Sequence, residues 1–152
     1  MTNETRINQL SENEVTCRDV AKDLEAIADN ELMKCPECGE TLNAMQYEID
    51  YEHEDGEKCT CLECGKTFDA GDLETYTMYD YFDDVYDIEY RIDGSRQYKS
   101  VSLCIAYGGP SLYVDTGSRS VELYWWGDRA SWHISPDTCD MIDECFEELY
   151  HC

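Results

Sequence analysis

The chain has 152 residues, with 35 Asp and Glu against 11 Lys and Arg, so its formal charge is −24. This excess of negative charge argues against direct binding to nucleic acid or to anionic membranes, because both depend on Lys and Arg. Hydrophobic residues make up 42% of the sequence, enough for a folded core and too many for a disordered chain. We therefore expect one folded domain with at most a small appendage.

Ten cysteines would suggest a disulfide scaffold if the chain were secreted. The first 30 residues mix acidic and amide side chains and contain no apolar run of signal-peptide length. No stretch reaches the roughly 18 consecutive apolar residues that a membrane helix needs. We therefore expect a protein of a reducing cytosol, where closely spaced cysteines more often bind metal than form disulfides.

The N-terminal segment, residues 1–34, is predicted to contain one helix. Ser11 followed by Glu14 has the spacing of a capping box, in which each side chain accepts a hydrogen bond from the other residue's amide. Apolar residues then recur at helical spacing, at Val15, Val20, Leu24, Ile27 and Ala28. This pattern predicts a helix from about residue 12 to about residue 30.

Two short motifs repeat the pattern Cys-x-x-Cys-Gly, at residues 35–39 and 61–65, and each is called a knuckle below. The two-residue spacing lets both sulfurs point at one ion, and the glycine permits the tight turn whose amides donate to the thiolates. We interpret residues 35–71 as a zinc ribbon with a hairpin that turns at Asp55-Gly56. The predicted Zn2+ ligands are Cys35, Cys38, Cys61 and Cys64.

Two alternatives for this site stay open. Iron in a rubredoxin-like site uses the same ligands. Cys59 could substitute for Cys61, although Cys61 begins the knuckle that copies the first one. In either case four protein ligands leave no open position for a catalytic water, so the site is predicted to be structural. The other cysteines are predicted to be buried apolar residues or free thiols: Cys17, Cys104, Cys139, Cys145 and Cys152.

Residues 72–152 are predicted to form an acidic segment followed by an antiparallel sheet and a C-terminal helix. Alternating apolar residues and turn signals place four strands at about residues 85–92, 101–105, 112–114 and 121–126. The stretch from residue 94 to residue 135 is nearly neutral and contains all three Trp, which predicts that it forms the core.

The end of the chain has the clearest helical pattern. Ser135 can cap the helix, Pro136 suits its first position and Asp137 complements the helix dipole. One apolar stripe follows, at Met141, Ile142, Cys145, Phe146 and Leu149. The predicted fold is therefore α+β: an N-terminal helix, a zinc ribbon, and a four-stranded antiparallel sheet packed by the C-terminal helix.

The acidic segment combines carboxylates with aromatic side chains. Aromatic residues are enriched where proteins bind one another, and a strongly acidic surface suits a basic protein partner. The residues predicted to bind a partner are Tyr79, Asp80, Tyr81, Asp83, Asp84, Asp87 and Glu89.

The paired knuckles, the run Ala106-Tyr107-Gly108-Gly109-Pro110 and the segment from Val121 to Gly127 resemble the zinc-containing anti-CRISPR proteins of phages. The resemblance covers the knuckle region and the C-terminal half of the chain, and only the cysteine ligands are carried over by motif. It implies a non-enzymatic inhibitor in the cytoplasm of the host bacterium. Such an inhibitor binds the basic recognition lobe of a type II CRISPR RNA-guided nuclease and prevents target DNA from loading.

Two other functions are compatible with the sequence. A zinc-ribbon adaptor of the transcription machinery would also be acidic and non-catalytic. Asp115-Thr116-Gly117-Ser118 matches the active-site string of aspartic proteases, so a homodimer could bring two carboxylates together. The same residues are typical of a turn between two strands, and the rest of the protease pattern is absent. We favour the inhibitor and predict that the chain is not an enzyme.

Overall fold

In residues 11–152, which the computed structural model describes, three α-helices combine with three antiparallel sheets. Residues 1–10, the start of the predicted N-terminal segment, lie outside the described range. The predicted mixture of helices with antiparallel sheets is confirmed.

The first helix, α1, spans Glu12–Ala28. Its capping box forms as predicted, because the Ser11 hydroxyl accepts from the Glu14 amide at 3.1 Å and the Glu14 carboxylate accepts from the Ser11 amide. Asn30 lies just beyond the C-cap residue Asp29 and has a positive φ of 57°, the left-handed conformation common just after a helix C-terminus. The buried side of α1 carries Cys17, Ala21, Leu24 and Ile27.

The knuckles lie in a unit that we call the ribbon, residues 33–75, which is built from two small sheets. Its strands are β1 (Met33–Lys34), β2 (Thr41–Leu42), β3 (Tyr47–Asp50), β4 (Lys58–Cys61), β5 (Thr67–Asp69) and β6 (Glu74–Thr75). One sheet has the order β2-β1-β6 and the other β3-β4-β5. The predicted hairpin between the knuckles is the pair β3-β4, with Gly56 in its turn at a φ of 99°.

A short helix, α2 (Met78–Tyr81), leads from the ribbon into the large sheet. That sheet has five strands in the order β11-β10-β9-β8-β7, each antiparallel to the next. The strands are β7 (Asp87–Ile92), β8 (Tyr98–Ala106), β9 (Ser111–Asp115), β10 (Ser120–Trp125) and β11 (Asp128–His133).

The prediction of four strands is wrong, because it omits β11. A two-residue turn joins β10 to β11, and both of its residues have positive φ, 49° at Trp126 and 82° at Gly127. Such turns match the twist of paired strands but favour Asn or Gly at the first position, since bulky residues rarely adopt this conformation. The sequence pattern therefore assigns Trp126 to the end of a strand, whereas in the structure it is a turn residue.

One face of the large sheet forms the main core. Its buried side chains include Val101, Leu103, Val114, Val121 and Leu123. Helix α1 packs against β10 and β11, while the last helix, α3 (Pro136–Tyr150), packs against β8. The sheet is therefore packed by both long helices, where the prediction gave this role to the C-terminal helix alone.

Helix α3 begins as its sequence predicts. The Ser135 hydroxyl accepts from the Thr138 amide at 3.3 Å, and Pro136 occupies the first helical position. The buried side differs slightly from the predicted stripe: Cys139, Ile142 and Phe146 are buried, whereas Leu149 is exposed.

Candidate metal centre and acidic surface

Each knuckle is the tip of a hairpin. The first joins β1 to β2, where the Gly39 amide donates to the Cys35 carbonyl at 2.9 Å and the Cys35 amide donates to the Glu40 carbonyl at 3.0 Å. The second joins β4 to β5 and repeats both bonds, from Gly65 to Cys61 and from Cys61 to Lys66. Gly39 and Gly65 have φ values of 76° and 75°, so each occupies the left-handed conformation that the tight turn requires.

The two knuckles bring four sulfur atoms together. The Sγ atoms of Cys35, Cys38, Cys61 and Cys64 all lie within 4.8 Å of one another. Cys35 is 4.0 Å from Cys64, and Cys38 is 3.9 Å from Cys61. Metal–sulfur bonds of about 2.3 Å in a tetrahedron give sulfur–sulfur edges of about 3.8 Å. The four cysteines can therefore hold one metal ion, whereas a disulfide would need about 2.05 Å.

The electrostatics of the cluster also suit a cation. Burial opposes ionisation of Cys35, but hydrogen bonds from the amides of Cys38 and Glu37 outweigh it and lower its pKa to about 7. For Cys38, the Glu40 amide favours the thiolate, yet burial and the neighbouring sulfurs raise its pKa to about 12. One thiolate forms readily, whereas further negative charge needs a positive ion to balance it.

Cys59 lies outside this cluster. It is fully buried on β4, beside Phe68 of β5, and burial raises its pKa. The four sulfurs that converge are those of the two knuckles, so the structure favours Cys61 over Cys59 as a ligand. All ten cysteines lie in the described range and none forms a disulfide there.

The arrangement can stabilise structure and offers no catalytic position. Four thiolates complete a tetrahedral shell, so no site remains for a water or a substrate. The ribbon core around the cluster is small and contains Leu42 and Phe68 beside the cysteines. A metal ion at this point would tie β1, β2, β4 and β5 together.

Asp80, one of the predicted partner-binding residues, has a structural role. Its carboxylate accepts from both the amide and the hydroxyl of Thr77 at 2.9 Å, which completes a capping box at the start of α2. It also lies 3.6 Å from the Lys34 ammonium. The Thr77 amide is the largest cause of its lowered pKa, and Lys34 adds to the effect although burial opposes it.

The two predicted tyrosines differ in exposure. Tyr79 is 46% exposed and donates from its hydroxyl to Glu148 of α3 at 2.7 Å, and this bond raises its pKa. Tyr81 is half-buried and packs edge-on against Phe82, with the ring centroids 5.0 Å apart. Burial raises the pKa of Tyr81. Tyr79 is therefore accessible to a partner, whereas much of Tyr81 contributes to packing.

The four remaining carboxylates lie in two places. Asp83 and Asp84 are exposed in the turn that follows α2. The residue before them, Phe82, packs edge-on against Phe146 of α3, which places the start of this turn on the helical side of the sheet. Asp87 and Glu89 are exposed on the edge strand β7, where they share the sheet face opposite the main core. The seven predicted residues thus do not form one continuous patch, because the chain passes from one side of the sheet to its edge between Asp84 and Asp87.

Asp115, the aspartate of the protease-like string, is buried and fully engaged. Its two oxygens accept from Arg91 at 2.7 and 2.6 Å, and one oxygen also accepts from the amides of Gly117 and Ser118. Burial alone would raise the pKa of Asp115, but Arg91 and the turn amides lower it. Both oxygens of Asp115 already accept from donors of this chain, and the string forms the turn between β9 and β10, as is typical of these residues.

Sequence reasoning missed a group of exposed aromatic side chains at one end of the large sheet. Tyr86 precedes β7, Tyr107 follows β8, Trp125 ends β10 and Trp126 begins the turn after it. They lie at the same end of the sheet, because the start of β7 pairs with the end of β8, and the start of β9 pairs with the ends of β8 and β10. Trp126 is 87% exposed and therefore does not belong to the core, although the stretch from residue 94 to residue 135 was predicted to form it. The signal available was the run Tyr124-Trp125-Trp126-Gly127, whose glycine marks a turn.

No family model, curated protein or solved structure matches the chain. Within residues 11–152, none of the helices combines the length and the apolar character that crossing a membrane would require.

Proposed function

We propose that this chain is a non-enzymatic inhibitor that binds a basic nucleic-acid-binding surface of a protein partner in place of nucleic acid. The partner implied by the resemblance is a type II CRISPR RNA-guided nuclease, bound at its basic recognition lobe so that target DNA cannot load. The proposal places the protein in the cytoplasm of the host bacterium. It assigns no membrane contact and no direct binding of nucleic acid to the chain.

The observation that carries the proposal is the number of carboxylates without a cationic partner. Residues 11–152 contain 34 of the 35 Asp and Glu, and only six of these lie within 4.0 Å of a Lys or Arg in that range. The other 28 carry negative charge that no Lys or Arg side chain in that range pairs with. They include the outer side of α3, where Asp137, Asp140, Glu144 and Glu147 are exposed.

The charge density matches that of DNA. A compact domain of this length has a radius of gyration of about 15 Å and a diameter of roughly 40 Å. Duplex DNA carries one charge per about 1.7 Å of its axis, so the same length holds about 24 charges. A chain of formal charge −24 can therefore compete for a groove whose Lys and Arg side chains bind phosphates.

We assign zinc to the four-cysteine cluster. Four thiolates in a closed tetrahedral shell are typical of structural Zn2+, while iron uses the same ligands and confers visible colour. Elemental analysis of the purified protein decides between the two metals. One equivalent of zinc is expected, and one equivalent of iron in a coloured protein would replace this assignment.

The adaptor of the transcription machinery is the second candidate, since a ribbon and an acidic surface would serve it equally well. The two candidates differ in the protein that they capture, polymerase or nuclease. A dimeric aspartic protease has less support, because the Asp115 carboxylate is already held by Arg91 and by the turn amides.

Capture of the nuclease by the tagged, metal-loaded chain tests the proposal. We expect a complex in about 0.15 M salt that weakens in about 0.5 M salt, because added ions screen exposed charges. Absence of a complex at both salt concentrations would contradict the proposal. Recovery of RNA polymerase with the nuclease absent would favour the adaptor.

A further inference from the structure

The sheet face opposite the main core already holds one guanidinium group between an aromatic ring and a carboxylate. Arg129 of β11 lies over the ring of Tyr124, 5.5 Å from its centroid. The same guanidinium donates to the Glu122 carboxylate at 3.0 Å. Both partners belong to β10, so this arrangement is a cation–π contact closed by an ion pair.

A second group of rings and a carboxylate lies nearer the β7 edge of the same face. A cavity of about 310 Å3 is lined there by Tyr86, Asp87, Cys104, Tyr107 and Tyr113. In the sheet register, Asp87 pairs with Cys104 and Cys104 pairs with Tyr113, so these three side chains lie next to one another across β7, β8 and β9. The Tyr113 ring packs edge-on against Tyr124, with centroids 5.9 Å apart, which joins the cavity to the Arg129 site.

This cavity has the same chemistry as the Arg129 site but holds no side-chain cation of its own. Among residues 11–152, no Lys or Arg nitrogen lies within 4.0 Å of the Asp87 carboxylate. Tyr86 is 69% exposed and Tyr107 is 72% exposed, so both rings present apolar surface to solvent. Exposed aromatic surface of this kind marks binding sites more often than it occurs by chance.

We propose that the cavity lined by Tyr86, Asp87, Tyr107 and Tyr113 binds an arginine side chain of a basic protein partner. The inference rests on the proposed function, because that function supplies a partner rich in arginine. Arginine fits better than lysine, since its flat guanidinium can stack on a ring and also donate to the Asp87 carboxylate. A nucleic-acid base could stack on the same rings, but its phosphates would be repelled by Asp87 and by the charge of the chain.

A small probe tests the cavity without any partner protein. Acetyl-arginine amide is titrated into the isotope-labelled, metal-loaded full chain while amide signals are followed by NMR. We expect saturable shifts at Asp87, Cys104 and Tyr113, with a dissociation constant of about 1 mM. Acetyl-citrulline amide has nearly the same shape without the charge and is expected to leave these signals in place. Equal shifts with both probes, or none with either, would overturn the inference.

Two variants and one control make the test specific. Asp87→Asn and Tyr107→Leu change exposed side chains, and each is expected to weaken acetyl-arginine amide about threefold. Asp128→Asn is the matched control, because Asp128 is the exposed first residue of the opposite edge strand, as Asp87 is of β7. Its affinity for the probe is expected to equal that of the wild type. Equal affinities for all four proteins would contradict the inference.

The same variants separate this inference from the proposed function. If the nuclease binds the wild type and both cavity variants with equal affinity, the cavity does not bind an arginine of this partner, and the proposed function stands. If acetyl-arginine amide binds at the cavity but no nuclease is captured, the arginine site stands and the proposed function fails. A loss of nuclease affinity in Asp87→Asn and Tyr107→Leu, but not in Asp128→Asn, supports both.

Discussion

The ribbon and the large sheet are stabilised in different ways. The buried ribbon core contains five residues, three of them cysteines: Cys35, Leu42, Cys59, Cys61 and Phe68. The core between the large sheet and the helices contains 17 buried residues. Since a fully buried large apolar side chain contributes roughly 1.5–3 kcal/mol, burial stabilises the ribbon far less than it stabilises the sheet. This difference supports the proposal that a bound metal stabilises the ribbon in place of a larger core.

The largest expected effect is loss of the metal. Cys61→Ser is expected to unfold the ribbon and leave the sheet folded, because a structural metal contributes on the order of 10 kcal/mol of binding free energy. In NMR spectra, amide signals of residues 33–75 should collapse to random-coil positions while those of residues 98–134 stay dispersed. Cys59→Ala is the control, since it removes a buried thiol outside the cluster and should retain one metal ion. A ribbon that stays folded in Cys61→Ser would contradict the claim that the ribbon depends on its metal for stability.

Truncation in the large core should have the next largest effect. Leu103 is fully buried on β8, so Leu103→Ala is expected to lower the free energy of unfolding by about 2–5 kcal/mol. Leu149→Ala on α3 removes the same atoms from a side chain that is 43% exposed, and a change of about 0.5 kcal/mol is expected. Urea unfolding measures both values. Similar losses of unfolding free energy in the two variants would contradict the claim that burial in the large core stabilises the sheet.

The ion pair between Arg91 and Asp115, on the sheet face opposite the main core, should make the free energy of unfolding depend on pH. Burial opposes ionisation of Asp115, but Arg91 and the turn amides lower its pKa below the unfolded value of about 3.9. The stabilisation is therefore complete well above that value and is lost as pH falls through the lowered, folded-state pKa. Asp115→Asn should be less stable by about 2 kcal/mol near neutral pH and should lack this loss on acidification. Parallel stability curves for the two proteins from about pH 6 to about pH 2 would refute this role.

Reversal of surface charge should have the smallest effect on stability. Asp83→Lys combined with Asp84→Lys changes exposed turn residues, so the free energy of unfolding should shift by no more than about 0.5 kcal/mol. Asp80→Lys removes the capping box of α2 and should cost about 1 kcal/mol. Thermal unfolding distinguishes the two. A double variant that melts as early as Asp80→Lys would show that the turn acids are also structural.

Local sequence signals predicted the parts of the fold that local interactions determine. The capping box at Ser11, the cap at Ser135 and the repeated knuckles each depend on residues at most four positions apart. The fifth strand was missed because its turn places Trp126 in a conformation that the sequence pattern assigns to Gly or Asn.

Contacts between distant residues could not be predicted in the same way. Arg91 meets Asp115 only because β7, β8 and β9 pair in a particular register. The Arg91 guanidinium also lies close to the turn after β9: a Cβ added to Gly117 would be 2.7 Å from it. The same limit applies to the aromatic cavity, whose residues come from three strands and two loops. The acidic composition predicts a basic partner, but the residues that would contact this partner can be identified only once the sheet topology is known.

Competition for a labelled target-DNA duplex on a purified, guide-loaded type II nuclease tests most directly whether the chain occupies a nucleic-acid-binding surface. Fluorescence anisotropy reports the fraction of DNA bound as the metal-loaded chain is added. We expect the chain to displace the DNA, to lose potency as salt increases, and to be displaced in turn by excess unlabelled duplex. DNA that stays fully bound at saturating concentrations of the chain would contradict the proposed function.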